Sequence, residues 1–172
     1  MKTAKEIAML SAFVATLIGG QFVLSAISGV EIVTVLAVSF FFYFGVLRGG
    51  VVATAFSLLR CLLFGFFPTV VALYLIYYNL LALIFGLLGK AFARKINVKK
   101  LTVIVAVSLV CTVAFTMLDN AITIVFYSFT KTMAKAYISA SLITMIPQLV
   151  CVFATVSLLF YPLYKVYKTI KI

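Results

Sequence analysis

The sequence predicts an all-α membrane protein: a single integral membrane domain over residues 1–172, folded as a six-transmembrane-helix bundle with both termini cytoplasmic. Three observations predict it. Of the 172 residues, 66% are hydrophobic and only 10% are charged, whereas a soluble domain is about 45–50% apolar and about 25% charged. That leaves too little polar surface to cover a water-soluble globule, which excludes a cytosolic enzyme and a secreted disulfide domain. Next, apolar runs recur along the whole chain, and since a spanning helix needs roughly 20 such residues, the length holds at most about six or seven spans with no soluble domain beside them. Finally, the net charge is +11, yet the cations fall in the gaps between apolar runs. A nucleic-acid binder would cluster them on a water-exposed face, so this pattern speaks of membrane orientation.

The elements follow in order. The first span is expected at about 6–28, ending in Ser28-Gly29-Val30-Glu31. Lys2, Lys5 and the small residues before Gly29 resemble a signal peptide, but the apolar run from Ile7 to Ile27 exceeds the usual core of roughly 7–15 residues, so it is read as a membrane helix. The second span is expected at about 32–47, closed by Arg48-Gly49-Gly50, and the third at about 51–67, stopped by Pro68. Both are short, so tilting or local thinning of the bilayer is expected there. The fourth, about 69–89, runs into a polar loop from Lys90 to Lys100. The fifth, about 101–128, is followed by a segment over 129–139 that carries Lys131 and Lys135. The sixth, about 140–164, leads into a tail with Lys165, Lys168 and Lys171. With the N-terminus inside, every cation outside the spans is cytoplasmic except Lys131 and Lys135, a strong positive-inside bias.

Ionisable groups within spans are costly and mark functional candidates. On this topology Arg60 lies somewhat beyond the middle of the third span, and Asp119 and Asn120 lie in the outer half of the fifth. Tyr74, Tyr77, Tyr78 and Asn79 occupy the outer half to middle of the fourth. Gln148, beside Pro147, takes the same layer in the sixth, Gln21 in the first, and Glu31 and Thr34 stand at the mouth of the second. Two explanations stay open residue by residue. Arg60 can pair with Asp119 or Glu31, the amides can bond between helices, and the tyrosines can form an interfacial belt. For the set, a cavity open to the outside accounts better for cytoplasmic halves that carry no comparable groups. The candidate substrate-binding residues are therefore Glu31, Thr34, Arg60, Tyr74, Tyr78, Asn79, Asp119, Asn120 and Gln148. Tyrosine faces with a few convergent polar groups are the usual make-up of a small-molecule site. An arginine among them suits a ring-bearing substrate with a carboxylate or phosphate, which guanidinium recognises bidentately.

The first span carries a second signal. Ala4, Ala8, Ala12, Thr16 and Gly20 recur every four residues, a smooth face that lets another helix approach closely. It serves packing within the bundle or docking of another membrane subunit, with Ala4, Ala8 and Ala12 as the candidate docking residues. Cys61, Cys111 and Cys151 each sit inside an apolar run and read as small core residues. With an odd cysteine count and no histidine, no metal site and no disulfide framework is expected. There are no paired carboxylates, no G-x-S-x-G and no P-loop, so neither an enzyme nor a cofactor is expected. The few intramembrane acids and the lack of an inverted repeat also count against an ion-coupled carrier. A solute cavity with no energy source implies a partner that supplies the energy; a stand-alone small secondary transporter or facilitator is the alternative.

The chain at this point resembles the substrate-binding S components of energy-coupling factor (ECF) vitamin transporters. Glu6-Ile7-Ala8-Met9-Leu10-Ser11-Ala12 is similar to the first-helix A-x-x-x-A motif of that family. Ser28-Gly29-Val30-Glu31-Ile32-Val33-Thr34 followed by Phe44-Gly45-Val46-Leu47-Arg48-Gly49-Gly50 resembles the first loop and second helix of the cobalamin-type and related members. Phe64-Gly65-Phe66-Phe67-Pro68, Tyr74-Leu75 and Asn79-Leu80-Leu81-Ala82-Leu83 resemble their third and fourth helices. The resemblance implies a multi-pass subunit in the plasma membrane of a prokaryote that binds a vitamin or related micronutrient from outside. It implies further partners: a transmembrane coupling protein, docked through the first helix, and two cytosolic ATPases that drive an ABC-type import. The connections here are brief where gating loops of that family are long.

Overall fold

The computed structural model describes residues 4–24 and 32–170, and these form six helices and no strand. They are α1 (Ala4–Leu24), α2 (Val33–Phe44), α3 (Val46–Phe64), α4 (Pro68–Ala91), α5 (Val98–Phe126) and α6 (Lys131–Thr169). Five of them, all but α2, are long and apolar enough to cross a membrane. The multi-pass all-helical class expected from composition is therefore present, with five candidate spans in place of six.

The exception is α2. Its 12 residues rise about 18 Å at 1.5 Å each, well short of a hydrocarbon core of about 30 Å. The expected span to Leu47 is cut at Gly45, whose φ of +85° lies in a region that costs glycine nothing and other residues much. Arg48-Gly49-Gly50, expected as the loop, instead forms the start of α3. All of α2 except Tyr43 is buried, as befits a helix apolar on every face. It is the central post of the bundle, packed on α3, α4 and α6 and touched by α1. Phe40, Phe41 and Phe42 are fully enclosed, and Phe42 meets Phe160 of α6 edge-on at 5.5 Å between centroids.

Close approach of α4 to this post and to the α2–α3 junction depends on two glycines. A Cβ at Gly86 would stand 2.6 Å from the Val46 nitrogen, and one at Gly89 would run into the Phe42 carbonyl oxygen. Pro68 opens α4 at its first turn, where its missing N–H has no helical partner to lose. Asn97 caps α5 by accepting from the Lys100 amide at 3.0 Å, and Thr130 caps α6 through the Met133 amide at 3.4 Å. The fifth-to-sixth connection is consequently short, and Lys131 and Lys135 belong to α6 rather than to a loop. At 39 residues, α6 rises about 58 Å and extends well past any bilayer core.

Polar contacts fix which helix ends lie together. Arg48 Nε donates to Glu6 Oε1 at 2.8 Å, tying the start of α1 to the start of α3. The Tyr164 hydroxyl donates to the Arg94 carbonyl at 2.7 Å, and Tyr43 packs on Tyr164. One end of the bundle thus gathers the α1 start, the α2–α3 junction, the α4–α5 connection and the α6 end. It carries Lys5, Arg48, Lys90, Arg94, Lys95, Lys99, Lys100, Lys165 and Lys168, while Lys131 and Lys135 lie at the other.

Candidate ligand cavity

Between α2, α4, α5 and α6 lies a cavity of about 140 Å³, lined by Thr34, Tyr74, Tyr77, Tyr78, Thr112, Phe115 and Gln148. Each helix contributes for a local reason. On α4, the run Tyr74, Tyr77, Tyr78, Leu81 and Phe85 follows the 3–4 spacing of one helix face, and its later members are core residues. Gln148 begins the inward stripe of α6 that continues through Val152, Val156 and Phe160 at four-residue steps. Thr112 stands on a buried polar stripe of α5 with Ser108 and Thr116. Thr34 is in the first turn of the buried α2.

The aromatic walls brace one another. Tyr77 meets Phe115 at 4.7 Å, Tyr78 meets Phe56 at 4.9 Å, and Tyr74 lies 5.3 Å from Tyr78; such pairs add about 0.5–1.5 kcal/mol beyond burial. Tyr74 is held most firmly. Its hydroxyl accepts from Gln21 Nε2 at 3.1 Å, its carbonyl accepts from Ser57 Oγ at 3.0 Å, and the Arg60 guanidinium sits 4.3 Å from its ring centroid. Gln21 Oε1 and Arg60 Nε are buried with no hydrogen-bond partner among the described residues. Pro147 has no N–H to offer the Ile143 carbonyl one turn back, so one helical hydrogen bond is absent from α6 beside Gln148.

Of the residues singled out from sequence, the fold brings Thr34, Tyr74, Tyr78 and Gln148 to one cavity. Arg60 is not on its wall but behind it, against Tyr74 and Phe64. It makes no ion pair with Asp119, which accepts from Tyr137 at 2.9 Å. Asn120 donates to Ser141 at 2.9 Å and leaves its Oδ1 buried without a partner. Asn79 turns to α3, where it accepts from Thr54 at 3.1 Å and donates to the Leu75 carbonyl at 2.8 Å. Glu31 lies outside the described residues. Tyr77 shares the expected polar layer without being one of the candidate binding residues, and Thr112 and Phe115 are in neither group. The four-residue spacing of Ser108, Thr112 and Thr116 was the available sign for Thr112, and nothing marked Phe115 among 17 phenylalanines.

None of the seven described wall residues is a carboxylate, lysine or arginine. The described residues hold no cluster of metal-ligating side chains. The chemistry available is stacking on tyrosine and phenylalanine with hydrogen bonding by hydroxyls and one amide. The volume is smaller than the roughly 300–1,000 Å³ of sites for larger organic ligands, and matches one ring or a few waters at about 30 Å³ each.

On α1, Ala4, Ala8 and Ala12 are all exposed, with Ser11, Ala15, Thr16 and Gly19 beside them. The helix turns Glu6, Leu10, Val14 and Leu17 into the bundle instead. The small-residue face is therefore not spent on packing within the described bundle. Compared with known proteins, the chain matches no family model, no curated protein and no solved structure.

Proposed function

We propose that this protein is the substrate-capture subunit of an ECF-type importer, located in a prokaryotic plasma membrane, with its cavity on the extracellular half and both termini cytoplasmic. The observation that carries this reading is the cavity built from α2, α4, α5 and α6, in which three tyrosines and a phenylalanine surround Thr34, Thr112 and Gln148, with no charged side chain among the described wall residues. Such a wall binds the ring of a vitamin-like micronutrient by stacking and orients it through a few hydrogen bonds. The small volume favours a ligand that seats one ring and keeps any charged group outside the wall. The exposed small-residue face of α1 supports a second part of the reading: a transmembrane coupling protein docks there and brings two ATPases. No group in the chain equips it to hydrolyse ATP itself.

Native mass spectrometry of the detergent-purified protein is the direct test of ligand capture. A small molecule is expected to remain bound to the wild type and to be lost, by tenfold or more in occupancy, from Gln148→Ala with Tyr78→Ala. Co-purification tests the assembly: Ala8→Trp with Ala12→Trp should release the coupling protein and ATPases while the ligand stays bound. Failure to retain or bind any organic micronutrient would overturn the capture role. Uptake that persists without ATPases would instead identify a stand-alone carrier.

A further inference from the structure

A second concavity, separate from the tyrosine cavity, opens at the cation-rich end of the bundle. It has a volume of about 600 Å³, its floor is Gly45 and Gly86, its outer apolar edge is Leu47 and Leu87, and its rim is Lys90 and Arg94. Leu47 is 87% exposed and Leu87 52% exposed, so the edge faces the surroundings of the bundle rather than its core. The Arg94 main chain is held in place. The Arg94 amide donates to the Gly89 carbonyl at 2.8 Å and the Arg94 carbonyl accepts from the Tyr164 hydroxyl at 2.7 Å. Its guanidinium reaches over the α2–α3 junction, where a Cβ at Gly45 would stand 3.5 Å from a guanidinium nitrogen.

The two rim cations have no carboxylate among the described residues. The chain has fourteen Lys/Arg against three acids. Glu6 is engaged by Arg48, and Asp119 accepts from Tyr137 at the opposite end. The third acid, Glu31, lies outside the described residues. Both rim cations are exposed, so an anion from the surroundings of the bundle can reach them. An amphiphile with an anionic head matches the site on both counts: phosphate beside Lys90 and Arg94, and an acyl chain along Leu47 and Leu87. Basic pockets between membrane helices recognise anionic headgroups in this way.

We infer that the crevice between the α2–α3 junction and the end of α4 is a binding site for an anionic phospholipid, with Arg94 and Lys90 holding its phosphate. The test uses the full chain in neutral detergent with equal amounts of phosphatidylglycerol and phosphatidylcholine, and native mass spectrometry to count retained lipids. Wild type should retain phosphatidylglycerol preferentially, and Lys90→Gln with Arg94→Gln should cut that preference roughly tenfold or more, each single variant giving an intermediate loss. Lys131→Gln with Lys135→Gln removes the same charge from the other end and should leave the preference within about twofold. Equal losses from the two double variants, or none from the first, would overturn the site. Displacement of phosphatidylglycerol by millimolar inorganic phosphate would assign the rim to free phosphate instead and overturn the lipid. Matching helical circular dichroism of the variants in phosphatidylcholine establishes that folding is unchanged.

Discussion

Tyr74 is the residue on which the cavity turns, because three helices act on it at once: α4 carries it, α1 bonds its hydroxyl, and α3 bonds its carbonyl and covers its ring. Arg60 consequently works through Tyr74. Replacing a direct guanidinium–anion contact would abolish binding, whereas removing a cation from the back of an aromatic wall forfeits about 0.5–2 kcal/mol. Arg60→Met is expected to weaken affinity for the molecule that co-purifies with the wild type by roughly two- to thirtyfold, measured by titration calorimetry. Complete loss of binding with a native unfolding temperature would instead place Arg60 in contact with the ligand. Tyr74→Phe keeps the ring and drops the Gln21 hydrogen bond, so about 0.5–1.5 kcal/mol should disappear from unfolding stability or affinity. No measurable change in either would show that the Gln21 contact contributes nothing.

At the scale of elements, the short α2 is tolerated because neighbours cover it on all sides. Its cover depends on the glycine face of α4. Gly89→Ala sets a methyl group against the Phe42 backbone, where no flexible side chain can yield. Overpacking of this kind typically costs about 1–3 kcal/mol. Gly19→Ala, with nothing within 4 Å of its new Cβ, should be neutral or slightly stabilising, since alanine is the better helix former by up to about 1 kcal/mol. Unfolding midpoints of the two variants in mixed micelles check the contrast; equal midpoints would refute the tight α2–α4 crossing. The Glu6–Arg48 pair at the start of α1 and α3 was invisible in the sequence. Its members are 42 positions apart, and each alone reads as an ordinary charge near a helix end.

For the whole molecule, both described ends of the chain and nine of the twelve described cations share one end of the bundle, the end that the proposed function sets in the cytoplasm by the positive-inside rule. Lys131→Cys should react with a membrane-impermeant maleimide on intact cells, and Lys99→Cys only after permeabilisation. Cys61 and Cys111 are buried and Cys151 half-buried, so the native thiols give a low background. The reverse labelling pattern would invert the topology and move the tyrosine cavity to the cytoplasmic half. Much of the cavity was legible beforehand: Thr34, Tyr74, Tyr78 and Gln148 stood out as polar groups at a shared depth. Asn79 stood out for the same reason yet faces α3, and Phe115 gave no sign at all.

Composition, the spacing of apolar runs and the placement of cations determined the class of this protein and the polarity of its two ends. Depth along a helix follows from residue number at 1.5 Å per residue, so polar groups sharing a layer could be found by counting. Which of them face one another depends on how each helix is rotated about its axis. A helix that is apolar nearly all round, as these are, carries little amphipathic signal of that rotation. The tertiary structure decided it through packing: Gly45 rather than Arg48-Gly49-Gly50 separates the second and third helices, α2 becomes a buried half-length post, and contact with that post turns one face of α4 toward Gln148 and leaves Asn79 of α4 facing α3.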